Sequence, residues 1–84
     1  MIEQYWDGQN WLDVLMKKYQ TVFFLNFIPH RRDGPAVIEY YDNGFNKKEF
    51  YYFNGIEFYP KELPFELPID SEEKEFMFKL KYGE

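Results

Sequence analysis

A short string written twice constrains this chain more than any other feature. Phe23-Phe24-Leu25-Asn26-Phe27-Ile28 returns 28 residues later as Tyr51-Tyr52-Phe53-Asn54-Gly55-Ile56. Between the copies, Ile38-Glu39-Tyr40-Tyr41 leads into Asp42-Asn43-Gly44. Aromatic run, Asn-Gly turn, aromatic run is the grammar of β-hairpins, because Asn and Gly tolerate the positive φ that tight turns require. A hairpin cannot bury its apolar face alone, so such units are stacked.

The chain has 84 residues, enough for one domain. A chain this short buries only ~60% of its unfolded surface, and eight Tyr, ten Phe and two Trp offset the small core. Each buried ring removes roughly 150–250 Å² from water. There is no Cys, hence no disulfide and no thiolate zinc site. No apolar run approaches the ~20 residues of a membrane span, and Met1-Ile2-Glu3-Gln4 does not open like a signal peptide. These features set the expectation of a soluble, cytoplasmic protein without membrane contact. The net charge of −5 counts against general nucleic-acid binding; it suits a basic partner surface or simple solubility.

Along the chain, Ile2 to Trp6 reads as a short strand or a tail broken by Asp7-Gly8. Asn10 reads as an N-cap, and Trp11, Leu12, Leu15, Met16 and Tyr19 recur at helical spacing, which predicts a helix over 10–19. Strands are predicted over 21–28, 36–41, 47–53 and 56–59, with hairpin turns at Asp42-Asn43-Gly44 and Asn54-Gly55. Pro60, Pro64 and Pro68 make 60–70 an extended segment packed over a face or an edge. In the last segment Phe76, Phe78, Leu80 and Tyr82 alternate as in a strand over 75–82. The alternative is a helix capped by Asp70-Ser71-Glu72-Glu73. The predicted fold is α+β: a small antiparallel, twisted β-meander of four to five strands with one short N-terminal helix.

His30, Arg31, Asp33, Gly34, Pro35, Ala36, Val37, Ile38, Tyr40, Asn43, Gly44, Glu49, Tyr51, Asn54 and Gly55 together spell a recurring string. It resembles the short His-Arg-x-Asp-Gly-Pro-Ala-Val and Asn-Gly hairpin repeats of phage and bacterial proteins, relatives of the MORN type. The match covers about a third of the chain and amounts to one full unit. Two departures stand out: Asn26-Phe27 where Asn-Gly is expected, and Glu57-Phe58-Tyr59-Pro60 where a new unit would begin. The resemblance implies hairpins, a phage or mobile-element origin and a binding or scaffolding role, not an enzyme.

Candidate sites follow from residue chemistry. His30, Arg31 and Arg32 form the one basic cluster and suit a phosphate, a nucleotide or an acidic patch, unless Asp33 holds them as a structured loop. His30 lacks a nucleophile partner, since Ser71 and Thr21 are the only Ser and Thr and sit in no nucleophile motif. Glu39 and Glu49 could face each other across a hairpin but have little room for a walled cleft. Asp70, Glu72, Glu73 and Glu75 lack the spacing of a calcium loop. No cofactor or metal site is therefore expected. Tyr40, Tyr41, Tyr51 and Tyr52 cannot all face inward, because successive strand residues point to opposite faces. An outward Tyr set suits protein recognition or base stacking.

The function expected from the sequence is non-catalytic protein binding, in its concrete form a phage-encoded inhibitor that occludes a host defence protein, as anti-CRISPR proteins do. The alternatives are nucleotide or nucleic-acid capture through the Arg and Tyr residues, and a scaffold module that self-associates through an open sheet edge.

Overall fold

The computed structural model describes residues 2–41 and 47–83. It is an antiparallel sheet of seven strands followed by one C-terminal helix: β1 Ile2–Trp6, β2 Trp11–Lys17, β3 Gln20–Leu25, β4 Ile28–Pro29, β5 Val37–Tyr40, β6 Lys47–Phe53, β7 Ile56–Phe58 and α1 Glu72–Tyr82. The strand order is β1-β2-β3-β5-β6-β7, with β4 paired to β3. The expected four to five strands and N-terminal helix are therefore corrected. The Asp42-Asn43-Gly44 turn lies outside the described residues.

Where a helix over 10–19 was expected, the chain makes β2. The spacing of Leu12, Leu15 and Met16 fits a helix, but Leu12 and Val14 also alternate inward while Trp11 and Asp13 point out. Main-chain pairing decides, because β2 is flanked on both sides, by β1 and by β3. Asn10 is no helix cap. Asp7 Oδ1 accepts the N–H groups of Gln9 and Asn10 at 3.0 and 2.8 Å, and Gly8 takes φ 104°, which folds Asp7–Asn10 into a hairpin turn.

The strand expected over 21–28 stops at Leu25, and the chain turns through Asn26 and Phe27 at φ 53° and 67° into β4. The β6–β7 turn repeats this geometry, with Asn54 at 52° and Gly55 at 82°. The two copies of the repeat are thus two equivalent tight turns. They lie side by side, since Gly55 N–H donates to the Pro29 carbonyl at 2.9 Å. Residues 28–36 fill the space between β3 and β6: His30 N–H donates to Phe23, Arg31 N–H to Tyr52 and Ala36 N–H to Phe50.

The strand expected over 75–82 is instead α1. Ser71 caps it, its Oγ accepting from Lys74 N–H at 3.2 Å, with Glu72, Glu73 and Glu75 in the first turn and Lys79 and Lys81 in the last. Phe78 and Tyr82, four apart, bring their rings to the sheet. Phe76 and Leu80 stay exposed, so the four alternating residues do not share the one buried face that a strand would have given them.

Among the described residues, two clusters make the core. Leu12, Val14, Phe23 and Ala36 form the first, under the 30–36 loop. Phe53, Phe58, Ile69 and Phe78 form the second, closed by α1 and by Leu63, Phe65 and Leu67 of the proline-rich strap. Phe78 meets Phe53 and Phe58 edge-on, with ring centroids 5.0 and 5.2 Å apart, contacts worth about 0.5–1.5 kcal/mol each beyond burial.

Candidate functional site

The register of the ladders sorts the side chains of the sheet into two faces, because directly opposed residues share a face. Ile2 pairs with Leu15, Leu15 with Val22, Val22 with Val37 and Val37 with Phe50. An apolar row thus crosses β1, β2, β3, β5 and β6. Trp6 opposite Trp11, with centroids 5.4 Å apart, and Phe24 opposite Asp13 extend it on the same face. A polar row, Lys17, Gln20, Glu39 and Lys48, borders it.

This face is open towards β1. Ile2 is 69% exposed and Trp11 61% exposed. Helix α1 lies elsewhere, on Phe53 and Phe58. A shallow cavity of about 150 Å³ sits on the face, lined by Ile2, Asp13, Leu15, Phe24 and Phe27. Asp13 is the single charge in that lining.

Phe27 stands at its rim under two costs. Its side chain is 94% exposed at the tip of the β3–β4 turn. Its backbone holds φ 67°, a left-handed conformation that costs an L-residue roughly 1–2 kcal/mol and that a bulky side chain seldom adopts. The equivalent position in the other turn is Gly55, which carries neither cost. Among the described residues, no packing around the 94%-exposed ring rewards a phenylalanine here.

The tyrosines singled out in the sequence do not form one outward patch. Tyr51 packs against the second cluster and Tyr52 against the first. Burial, then the neighbouring Glu49, pushes the Tyr51 hydroxyl above its ordinary pKa. The Tyr40 hydroxyl lies 3.4 Å from Thr21 Oγ1, and Tyr41 alone of the four is exposed.

The basic cluster is turned inward. Arg31 stacks over the rings of Tyr5 and Phe23, 4.7 and 4.2 Å from their centroids, and pairs with Asp33 at 2.8 Å. Arg32 is buried; its Nη1 donates to the Ile69 carbonyl at 2.8 Å and to Glu75 at 2.9 Å, tying the loop to the strap and to α1. His30 is 1% exposed. Its Nδ1 accepts from Asn54 N–H at 2.9 Å, and its Nε2 faces Asp7 at 3.6 Å. Burial outweighs the nearby Asp7 carboxylate and holds the imidazole below its ordinary pKa.

Among the described residues no three His, Cys, Asp or Glu side chains are grouped to hold a metal ion, and no helix is long and apolar enough to cross a membrane. The residues that sequence reasoning passed over are Ile2, Trp6, Trp11, Leu15, Phe24 and Phe27. Two signals pointed to them: the strand alternation of 11–17, and Phe27 in the slot where the repeat has Gly. Compared with family models, with curated proteins and with solved structures, the chain matches none.

Proposed function

We propose that the protein is a non-catalytic protein-binding module whose working surface is the open face of β1–β3. The observation that carries this reading is Phe27, exposed and held in a backbone conformation that favours glycine. Such strain clusters at ligand clamps and binding sites. Around it, two tryptophans and the Ile2, Leu15 and Phe24 side chains supply an apolar centre, and Lys17, Glu39 and Lys48 supply a polar border. Apolar centre and polar rim is how protein interfaces are built, with Trp among the favoured anchors. A module of this kind acts by occupying a partner's surface, which is the mode of a phage-encoded inhibitor. Capture of a nucleotide or nucleic acid is the weaker reading, because Arg31 and Arg32 are engaged by Asp33, Glu75 and Ile69.

The test is affinity capture from cell lysate by the parent protein and by Phe27→Gly, Trp11→Ala and Tyr41→Ala variants, with mass spectrometry of the bound proteins. The proposal expects a partner held by the parent and by Tyr41→Ala, and lost by the other two. Retention by Phe27→Gly and Trp11→Ala alike would refute it.

A further inference from the structure

We infer that β1 pairs with β1 of a second copy of this chain, joining two sheets edge to edge. This goes beyond the open face and stands without any foreign partner. Among the described residues, β1 pairs only with β2, which leaves its outer edge without a strand. Natural sheets guard such an edge with charged side chains, above all Lys, with Pro, with a bulge or with a short strand. The β7 edge is guarded: the strand is three residues long, Pro60 follows closely, and Tyr59 N–H is taken by the Tyr82 hydroxyl. β1 is five residues, Ile2-Glu3-Gln4-Tyr5-Trp6, with the single charge of Glu3, no Lys, no Pro and a continuous register against β2.

The outward groups of β1 follow from the turn. Asp7 N–H donates to the Asn10 carbonyl, so by the alternation of an antiparallel ladder Tyr5 and Glu3 bond to β2, and Ile2, Gln4 and Trp6 point their main-chain groups outward. That set is self-complementary. In an antiparallel pair centred on Gln4, each Ile2 falls opposite the second copy's Trp6, and Gln4 falls opposite its own copy. Every outward N–H meets a carbonyl. The exposed Ile2 side chain covers the exposed Trp6 ring of the other copy.

Charge at the edge permits this occupant. Glu3 is the only charged residue of β1. It falls opposite the second copy's Tyr5, whose ring lies under the Arg31 guanidinium and whose hydroxyl donates to Asp33, so it meets the Arg31–Asp33 ion pair. No like charges are directly opposed. Because the two-fold axis runs perpendicular to the sheet, both open faces lie on the same side, and the Ile2, Trp6 and Trp11 surfaces of the two copies become one apolar surface.

Sedimentation equilibrium from micromolar to millimolar chain tests this. The parent is expected to move from one chain's mass towards two. Gln4 is exposed, so Gln4→Lys and Gln4→Glu should each keep the parent's circular dichroism while placing like charges across the axis. Each should weaken association by more than about tenfold. An equal mixture of the two variants should dimerise again, a recovery that no general loss of folding produces. A parent that stays at one chain's mass overturns the inference. So does a dimer that Gln4→Lys leaves unchanged, because its contact then lies on another surface. Dimerisation is read without any lysate, so its failure is separate from failure of the open face to capture a protein.

Discussion

Replacing Phe27 by Gly should make the protein more stable and less able to bind. At φ 67° the left-handed backbone costs an L-residue roughly 1–2 kcal/mol. Gly removes that strain and returns about 0.5–1 kcal/mol through the extra freedom of the unfolded chain. The ring itself is 94% exposed, so its loss gives up almost no burial. The balance is a gain of about 0.5–1 kcal/mol. For a domain of this size 1 kcal/mol moves Tm by about 4–8 °C, so a rise of roughly 2–8 °C is expected. An aromatic anchor at an interface commonly contributes more than about 2 kcal/mol, so capture of the partner should weaken by roughly 30-fold. Thermal unfolding by circular dichroism reads the first effect and a binding titration the second. A lowered Tm would mean that the ring supports the fold. An unchanged affinity would mean that the strain serves no recognition at this face.

The other turn gives the converse expectation. Gly55→Ala should destabilise by at least about 1–2 kcal/mol, because φ is +82° and the new Cβ would lie 2.8 Å from Ile28 Cγ2; a urea midpoint equal to the parent's would contradict the turn geometry. Arg32→Ala leaves Glu75 without its cation at a mostly buried site, a loss of about 3–5 kcal/mol when such pairs are broken, so this variant should unfold early in urea rather than merely lose a ligand. Acid should also loosen the fold. The His30 imidazole sits below its ordinary pKa of about 6.5 because of burial, with Asp7, Arg32 and Glu75 as its charged neighbours. The unfolded chain therefore takes up this proton first: the stability is present above about pH 6.5 and is lost as pH falls through the lower folded value. The proton also has no free site at Nδ1, which accepts Asn54 N–H. Urea midpoints measured down the pH scale should fall, and a His30→Gln variant should show a smaller fall; equal slopes would remove His30 from the cause.

The hairpin content was legible because turn chemistry is local. Asn54-Gly55 needs only its own backbone, and β6 runs over 47–53 as expected. Position 27 was harder. A phenylalanine reads as strand, yet the Asn26 beside it and the pairing of Leu25 with Ile28 force the turn. The N-terminal segment was misread because apolar residues at 11, 12, 15 and 16 satisfy a helical period, while the hydrogen bonds that make it a strand come from β1 and β3, outside the window. The C-terminal segment failed the other way: alternation over 76–82 is real, but a capped helix places Phe78 and Tyr82 on Phe58, a tertiary reward that periodicity cannot show. Arg31 and Arg32 illustrate the same limit. Their charge was visible, and their partners Tyr5, Ile69 and Glu75 lie far along the chain.

The most direct test of the open face is to map what touches it. A photoreactive benzophenone residue in place of Phe27, and separately in place of Lys79, exposed on α1 and away from the open face, is irradiated in lysate and the crosslinked proteins are identified. The reading of Phe27 as an anchor expects position 27 to trap one discrete protein other than this chain, and position 79 to trap none. Equal trapping at both positions, or a partner trapped only at 79, would contradict it.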